Sequence, residues 1–437
     1  MKQEEYFQEL CRSVSVSFFE EWENTTHMQD QSQRIKKAII GYRDEVEEFI
    51  RKIKSFLVQN KCEDVWYPSY YTSPEWAIYH ENWGLAGMAE WFSESYRESS
   101  SAKIIGDRIY FLDEGQMKLM PQRISRERRE QLVRALLLLT PEERLDKEFH
   151  EVYMLDGTRI TIFAGGMTKP EQDVIIFRRY IIPTYTFEEQ AERGTIPAES
   201  VPLFKAWVKL GYNMVFTGAI RSSKTTFLAT WQSYEDPSLE GVMLETDPEI
   251  PIHRLIPDAP VVQLIADNEK LSGISKNLLR SDADYFILAE ARDGTALDTA
   301  VRIAGKGTRR MKMTFHIREP LDFPYDAAWE ISRTVGGDMR AVAGRVAGAF
   351  DYVFHFIQLK DKSRKRLNGI YEMGFDRVTG EISMMQICSY DLDRDTWQWH
   401  YHMGEDKRKL GEDEDQTVFK TFDMLLKDLD EQSEGVI

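Results

Sequence analysis

The sequence predicts an α/β protein whose larger domain contains a mainly parallel β-sheet covered by helices. From Leu203 onward, short apolar segments typical of buried strands alternate with helical segments. This alternation indicates a parallel sheet with helices on both faces. The chain of 437 residues is also long enough for roughly two or three domains. The strand-like segments are NMVFT, VMLE, DYFILAE, RMKMTFHI, YVFHFIQL and RLNGIYEM.

Composition and charge exclude several classes of protein. At 42% hydrophobic and 30% charged residues, the chain is typical of a globular protein and not of a disordered one. Its formal net charge of −17 gives no general attraction to phosphate backbones, which argues against direct contact with nucleic acid. Cys11, Cys62 and Cys388 are too few and too scattered for a disulfide framework or a four-cysteine zinc site. With an acidic N-terminus and no long apolar run, we expect a cytoplasmic protein without membrane insertion.

The pattern along the chain predicts five segments. Residues 1–62 are predicted to be a helical extension, and residues 63–193 an α+β domain. This domain begins with an aromatic stretch, residues 66–91, whose rings are expected to fill a core. Residues 194–202 are the expected linker, and residues 203–404 form the domain with the parallel sheet. The remaining residues, 405–437, are predicted to be a solvated acidic tail with one amphipathic helix.

A loop between a buried strand and a helix has residue types that bind phosphate groups. In the sequence TGAIRSSKTT, backbone N–H groups and a helix N-terminus converge, Lys224 adds a positive charge, and Thr225 offers a hydroxyl to magnesium. The usual signature has glycine before the lysine because that position takes a positive φ angle. Ser223 stands there instead, at a cost of about 1 kcal/mol. Taken alone, the pattern fits a nucleotide-binding loop or an ordinary strand-to-helix turn. The candidate nucleotide-binding residues of the loop are Gly218, Ala219, Arg221, Ser222, Ser223, Lys224, Thr225 and Thr226.

Three further polar residues come directly after, or at the end of, apolar strands in the same domain. Glu245 ends VMLE, Glu290 ends DYFILAE, and His316 follows the apolar part of RMKMTFHI. Ligands bind at the carboxyl ends of strands in open α/β sheets. A carboxylate there can hold magnesium through water or orient an attacking water, and a histidine can contact phosphate. Each residue alone fits a solvated strand end or a structural histidine, but together with the loop they predict a site for a triphosphate with magnesium.

In their order along the chain, these motifs resemble those of the secretion-superfamily traffic ATPases, the hexameric motors of type II and type IV secretion systems and type IV pili. The likeness is strongest to the Tad/CpaF-like branch and covers roughly residues 151 to 373. LDGTRI resembles the family's DGSR hairpin, VIIFRRY its IRKF strand and GAIRSSKTT its Walker A loop. LETDPEI resembles the Asp box, DYFILAEARDGTALD the Walker B region and MTFHIREP the His box.

The resemblance implies a RecA-like P-loop motor domain, preceded by an α+β N-terminal domain and the helical N-terminal extension. It implies a homo-hexamer that hydrolyses ATP with magnesium to power pilus assembly or protein secretion. Such a motor would be cytoplasmic and associated with the membrane through an inner-membrane platform protein. By the same resemblance, Lys224 would contact the β/γ-phosphates, Thr225 the magnesium, and Glu290 the magnesium through water and the attacking water. Glu245 would be the Asp-box acid, and His316 would stand near the γ-phosphate.

Four arginines are further candidates by resemblance. Arg159, Arg178 and Arg179 occupy positions from which the family draws arginines toward a nucleotide, often across a subunit boundary. Each of the three fits a surface salt bridge equally well. Arg292 is another candidate, with a structural role as the alternative.

Three departures from the family pattern leave a second function open. Ser223 replaces the Walker A glycine, Thr246 replaces the second acid of the Asp box, and residues 306–308 read Lys-Gly-Thr where the family commonly has Thr-Gly-His. The alternative is a degenerate nucleotide-binding paralogue that regulates or scaffolds such a machine with little turnover.

Overall fold

The computed structural model describes residues 2–23, 28–139, 148–179, 185–245, 250–266, 271, 273–274, 277–278, 282–291 and 294–434. By their internal contacts, the residues divide into two compact units, Met1–Ile181 and Ile182–Ile437, which we call unit 1 and unit 2. The finer division of the chain into five segments stays a prediction.

Unit 1 contains a six-stranded sheet in which every neighbouring pair is antiparallel. Its strands are β1 (Ser101–Ile105), β2 (Arg108–Asp113), β3 (Gln116–Arg123), β4 (Phe149–Tyr153), β5 (Arg159–Phe163) and β6 (Val174–Arg178). Their order in the sheet is β3-β2-β1-β6-β5-β4. Alternate residues of each strand point to one face, and Ile104, Phe111 and Phe177 there form a core.

The helices of unit 1 are α1 (Lys2–Glu23), α2 (Met28–Ile40), α3 (Arg43–Gln59), α4 (Pro74–Asn82) and α5 (Arg126–Leu137), with 3-10 turns at Ala86–Phe92, Glu94–Tyr96 and Gly165–Met167. Helices α1 to α4 bury a second apolar cluster, whereas α5 packs on the core of the sheet. On α3, apolar residues recur every three or four positions, which gives one buried face. Phe49 of that face packs with Tyr79 and Trp83 of the aromatic stretch. The prediction that these rings fill a core is confirmed for Tyr79 and Trp83.

Unit 2 contains a nine-stranded, mainly parallel sheet. Its strands are β7 (Met214–Gly218), β8 (Gly241–Glu245), β9 (Val261–Ile265), β10 (Tyr285–Ala289), β11 (Lys312–Phe315), β12 (Tyr352–Gln358), β13 (Lys365–Phe375), β14 (Ile382–Asp391) and β15 (Thr396–Trp399). The order is β15-β14-β13-β12-β7-β11-β10-β8-β9. Each neighbouring pair in the series β12-β7-β11-β10-β8-β9 is parallel. Strands β12 to β15 form an antiparallel meander.

Helices cover both faces of this sheet. They are α6 (Phe187–Glu192), α7 (Val201–Lys209), α8 (Lys224–Ser233), α9 (Ile252–Leu255), α10 (Gly294–Ala304), α11 (Phe323–Thr334), α12 (Met339–Ala347) and α13 (Glu405–Glu434), with 3-10 turns at Ala198–Ser200 and Pro320–Asp322. Successive residues of β7 point to opposite faces: Val215 belongs to one core cluster and Phe216 to the other. The predicted α/β fold with a mainly parallel sheet is therefore confirmed.

The C-terminal helix differs from the solvated tail expected from the sequence. Helix α13 is interrupted at Asp415, whose backbone is not helical. Beyond this kink, Phe419, Phe422, Leu426 and Leu429 are spaced three or four residues apart, so they share one face. All four are buried in the same core cluster as α7. The acidic residues occupy the solvent side, which is why composition alone suggested a solvated tail.

Candidate active site

Four adjacent parallel strands of unit 2 end at one edge of the sheet, in the order β7-β11-β10-β8. Gly218 is the last residue of β7, and Glu245 is the last residue of β8. His316 and Glu290 come directly after β11 and β10. The strand register, which pairs Ala289 with Glu245 for example, keeps these ends level. Four sequence-predicted site residues therefore lie along one carboxyl edge.

The loop after β7 turns tightly into helix α8. Gly218 has a φ angle of +140°, and a Cβ atom there would collide with the carbonyl oxygen of Phe356 on the neighbouring strand β12. Ser223, directly before the helix, has a φ angle of +76°, in the left-handed region. Arg221 also has a positive φ angle, +64°. The loop thus takes the backbone form that favours glycine at position 223 without having glycine there.

Lys224, His316 and Glu290 are joined by hydrogen bonds. Lys224 is buried, and its Nζ donates to the carbonyl oxygen of Ala219 at 2.7 Å. The same Nζ lies 3.2 Å from His316 Nδ1, and His316 Nε2 lies 3.1 Å from Glu290 Oε1. Because an ammonium group only donates, Nδ1 accepts and the ring proton is assigned to Nε2, which donates to Glu290. A neutral imidazole therefore bridges the lysine cation and the carboxylate.

The backbone of Glu290 is fixed by a hydrogen bond to Thr314, a residue that the sequence analysis did not identify. Its φ angle is +63°, and its backbone N–H donates to Thr314 Oγ1 at 2.8 Å. Thr314 is a buried hydroxyl within strand β11, two residues before His316. The available sequence signal was a hydroxyl residue between the apolar Met313 and Phe315 of this strand. Thr314 thus links the end of β10 to the strand that carries His316.

Glu245 is buried, with 5% of its surface exposed. Its Oε1 accepts a hydrogen bond from the backbone N–H of Ile250 at 2.9 Å. The carboxylate therefore stabilises the backbone position of Ile250. Thr246 of the predicted Asp box and Arg292 lie outside the described residues.

A second histidine of the site, His355, is also absent from the sequence prediction. It lies in the middle of strand β12 and is buried, and its Nδ1 is 3.0 Å from Thr217 Oγ1. Burial, and next the charge of Lys224, lower the pKa of His355 to about 4. His355 is therefore neutral at neutral pH and adds no charge beneath the loop.

The residues present fit a triphosphate with magnesium. Ser222 is fully buried, and its Oγ has no hydrogen-bond partner among the described residues. This hydroxyl, the cation of Lys224 and the N–H groups at the start of the ten-residue helix α8 are donors suited to phosphate oxygens. The hydroxyl of Thr225, which is half-buried, and the carboxylate of Glu290 are the hard oxygen ligands that magnesium prefers. Thr226 follows in the same helical turn.

The three candidate arginines of unit 1 differ in their surroundings. Arg159, in strand β5, is largely buried, with Nε 3.9 Å from Glu151 Oε1. Arg178, its partner in the β5–β6 register, is exposed. Arg179 stacks its guanidinium over the Trp91 ring at 3.7 Å and donates to the Trp91 carbonyl oxygen, and burial lowers its pKa. Contacts within unit 1 explain the position of the Arg179 side chain. The Arg178 side chain is exposed to solvent.

Three solved structures are similar to this chain at low sequence identity. The VirB11 ATPase from the Brucella suis type IV secretion system, in complex with sulphate, is 16% identical and covers 65% of this chain and 92% of its own, with a TM-score of 0.36. The ATPase DotB of Legionella pneumophila is 15% identical, with coverages of 76% and 85% and a TM-score of 0.44. The pilus retraction motor PilT with bound ADP is 14% identical, with coverages of 75% and 86% and a TM-score of 0.45.

No protein-family model and no curated protein matches the chain. Every TM-score above is below 0.5, so these likenesses carry no argument about function. In the part of the chain that the structure describes, no helix combines the length and the apolar character needed to cross a membrane.

Proposed function

We propose that this protein binds ATP with magnesium at the loop between β7 and α8 and hydrolyses it. The observation that carries the proposal is the connected set Lys224, His316 and Glu290 at the carboxyl edge of a parallel sheet. Phosphoryl transfer needs little more from a protein than positioned cations, a metal site and an oriented water. This set provides a cation for the phosphates and a carboxylate for the water, and a histidine links the two.

Each of these residues has a distinct role in the proposed reaction. Lys224 places a positive charge beside the phosphates, and Ser222 Oγ and the first N–H groups of α8 donate hydrogen bonds to their oxygens. Glu290 accepts a hydrogen bond from the attacking water, and the His316 Nε2–H holds its carboxylate in one orientation. Thr225, and Glu290 through water, would hold magnesium, which would supply positive charge to the phosphates.

We further propose that the hydrolysis drives a motor of the secretion-superfamily type, most similar to the Tad/CpaF-like branch. The order of the motifs supports this proposal: the hairpin, the Walker A loop, the Asp box, the Walker B strand and the His box follow one another along the chain. On this proposal the chain works as a homo-hexamer at the cytoplasmic side of an inner-membrane platform protein. Glu245 would serve as the Asp-box acid, and Arg178, the exposed one of the three candidate arginines, would face a nucleotide.

A second candidate is a nucleotide-binding paralogue with little turnover, and the conformation of Ser223 favours it. A non-glycine residue in the left-handed region costs about 1 kcal/mol or more, and the serine side chain adds atoms beside the phosphates. The first effect lowers the stability of the folded loop and the second crowds the phosphates, while Lys224 and Glu290 are both retained.

ATP binding and steady-state hydrolysis by the purified full-length protein separate the two candidates. For a motor we expect hydrolysis that needs magnesium, with Lys224→Ala losing binding and Glu290→Gln keeping binding but losing turnover by about 100-fold or more. Binding without detectable turnover in the wild-type protein would support the paralogue instead. If neither binding nor hydrolysis occurs, both candidates are wrong. The mass of the particle with and without nucleotide tests the hexamer separately.

A further inference from the structure

Unit 1 contains a cavity of about 470 Å³ between the α2–α3 turn and helices α4 and α5. This volume is in the range of sites that hold small molecules. Such sites are mostly apolar with a few well-placed polar groups. The apolar side chains that line this cavity include Ile39, Ile40, Trp76, Leu136, Leu139 and Met154.

His80 supplies a polar group to the wall of this cavity. Its Nδ1 accepts a hydrogen bond from the backbone N–H of Leu85 at 3.3 Å, so the ring proton lies on Nε2. Within the described residues, Nε2 makes no hydrogen bond. Burial, and next the charge of Arg128, lower the pKa of His80 to about 3. At neutral pH, His80 therefore presents a single neutral N–H donor.

The surroundings hold the His80 ring in a fixed position. Trp76 and Tyr71 stack with it at centroid distances of 5.7 and 5.8 Å. Gly84 allows the backbone to approach, because a Cβ there would lie 2.5 Å from His80 Nδ1. Arg128 donates to the carbonyl oxygens of His80 at 2.9 Å and of Gly84 at 2.6 Å. The donor is thus placed by a rigid framework, as a binding group should be.

The lining offers no net charge to a ligand. Its two charged side chains, Arg43 and Glu47, pair with each other, with Arg43 Nε 2.9 Å from Glu47 Oε1. A charged group buried in the cavity would lose hydration without gaining an opposite charge. A ligand with one hydrogen-bond acceptor would satisfy the His80 donor, which an entirely apolar ligand would leave unsatisfied.

We propose that this cavity binds a neutral, apolar small molecule with one hydrogen-bond acceptor, such as a ketone or an ester, and that His80 Nε2 donates to that acceptor. The proposal is independent of the nucleotide site, because the cavity lies within unit 1 and the loop within unit 2.

A fluorescent naphthyl ketone, 6-propionyl-2-(dimethylamino)naphthalene, is a suitable probe for the full-length protein. It is neutral and apolar, it has one strong acceptor, and its emission shifts to the blue in apolar surroundings. We expect one molecule per chain with blue-shifted emission. Ala135→Phe, which fills the cavity from α5, should weaken binding at least about tenfold. Glu130→Phe, an exposed position about 140° around the same helix from Ala135, is the matched control and should bind as the wild type does.

Two further variants keep the test decisive. Ile40→Trp fills the cavity from the opposite wall, so the test does not depend on the folding of one variant. His80→Phe should weaken the ketone about fivefold but leave the parent 2-(dimethylamino)naphthalene, which lacks the carbonyl group, unchanged. Wild-type binding by folded Ala135→Phe or Ile40→Trp would overturn the proposed site. Equal weakening of both probes by His80→Phe would overturn the hydrogen bond.

Discussion

His316 Nε2 donates to Glu290 Oε1 at 3.1 Å, across the ends of two neighbouring parallel strands. The other ring nitrogen of His316 accepts from Lys224 at 3.2 Å. The residue that would bind phosphate and the residue that would orient water therefore share one imidazole. A proton on both ring nitrogens would turn Nδ1–H against the lysine cation and break the first contact. We infer that His316 positions both partners.

Replacing His316 should reduce turnover far more than nucleotide binding. For His316→Ala we expect a fall in kcat of about 100-fold, because Glu290 loses its orienting donor, with the dissociation constant for ATP changed much less. His316→Gln has an acceptor and a donor at similar reach and should recover part of the activity. His400→Ala, an exposed histidine of the same unit, is the control. Equal loss of binding and turnover would contradict a positioning role.

Replacing Ser223 by glycine should relieve backbone strain and improve the site. Because Ser223 has a φ angle of +76°, Ser223→Gly should raise the free energy of unfolding by about 1 kcal/mol and tighten ATP binding. Urea unfolding and titration with a fluorescent ATP analogue measure the two effects. Glu171→Gly, at a φ angle of +62° in unit 1, should give a similar gain in stability with no effect on ATP. Weaker ATP binding by Ser223→Gly would show that the serine contributes to the site.

His355 should make the stability of unit 2 depend on pH. Its pKa is about 4 in the folded protein against 6.5 for an ordinary histidine, so the unfolded chain takes up the proton first as the pH falls. Stability should be lost progressively from pH 6.5 down to about pH 4, by about 3 kcal/mol in total for this group. His355→Gln, which can still bond to Thr217, should lose less stability over that window. The urea midpoints of the two proteins as a function of pH provide the measurement, and identical pH profiles would contradict the expected burial of a neutral ring.

The C-terminal helix should contribute to the stability of unit 2. Phe422 is fully buried in the core cluster, so Phe422→Ala should lower the free energy of unfolding by about 3–5 kcal/mol. Met424, on the same helix, is 54% exposed, and Met424→Ala should change it by less than about 0.5 kcal/mol. Thermal or urea unfolding compares the two variants. Similar stabilities would mean that the helix is not docked in solution.

Local patterns predicted the parts of the fold and site that depend on neighbours in sequence. The alternation of strands and helices, the loop before Lys224 and the polar strand ends at Glu290 and His316 are all readable in this way. Thr314 and His355 were missed because their roles depend on which strands lie side by side, and sequence pattern does not reveal strand order. The docking of α13 was missed because acidic composition masked a regular apolar face.

Hydrogen exchange measures directly whether the loop between β7 and α8 binds ATP with magnesium. We predict that MgATP slows exchange of the backbone amides of residues 219–226 in the full-length protein, with smaller effects at Glu290 and His316. The same nucleotide should give no protection in Lys224→Ala. Unchanged exchange at 219–226 in the wild-type protein at saturating MgATP, or equal protection in Lys224→Ala, would contradict nucleotide binding at this loop.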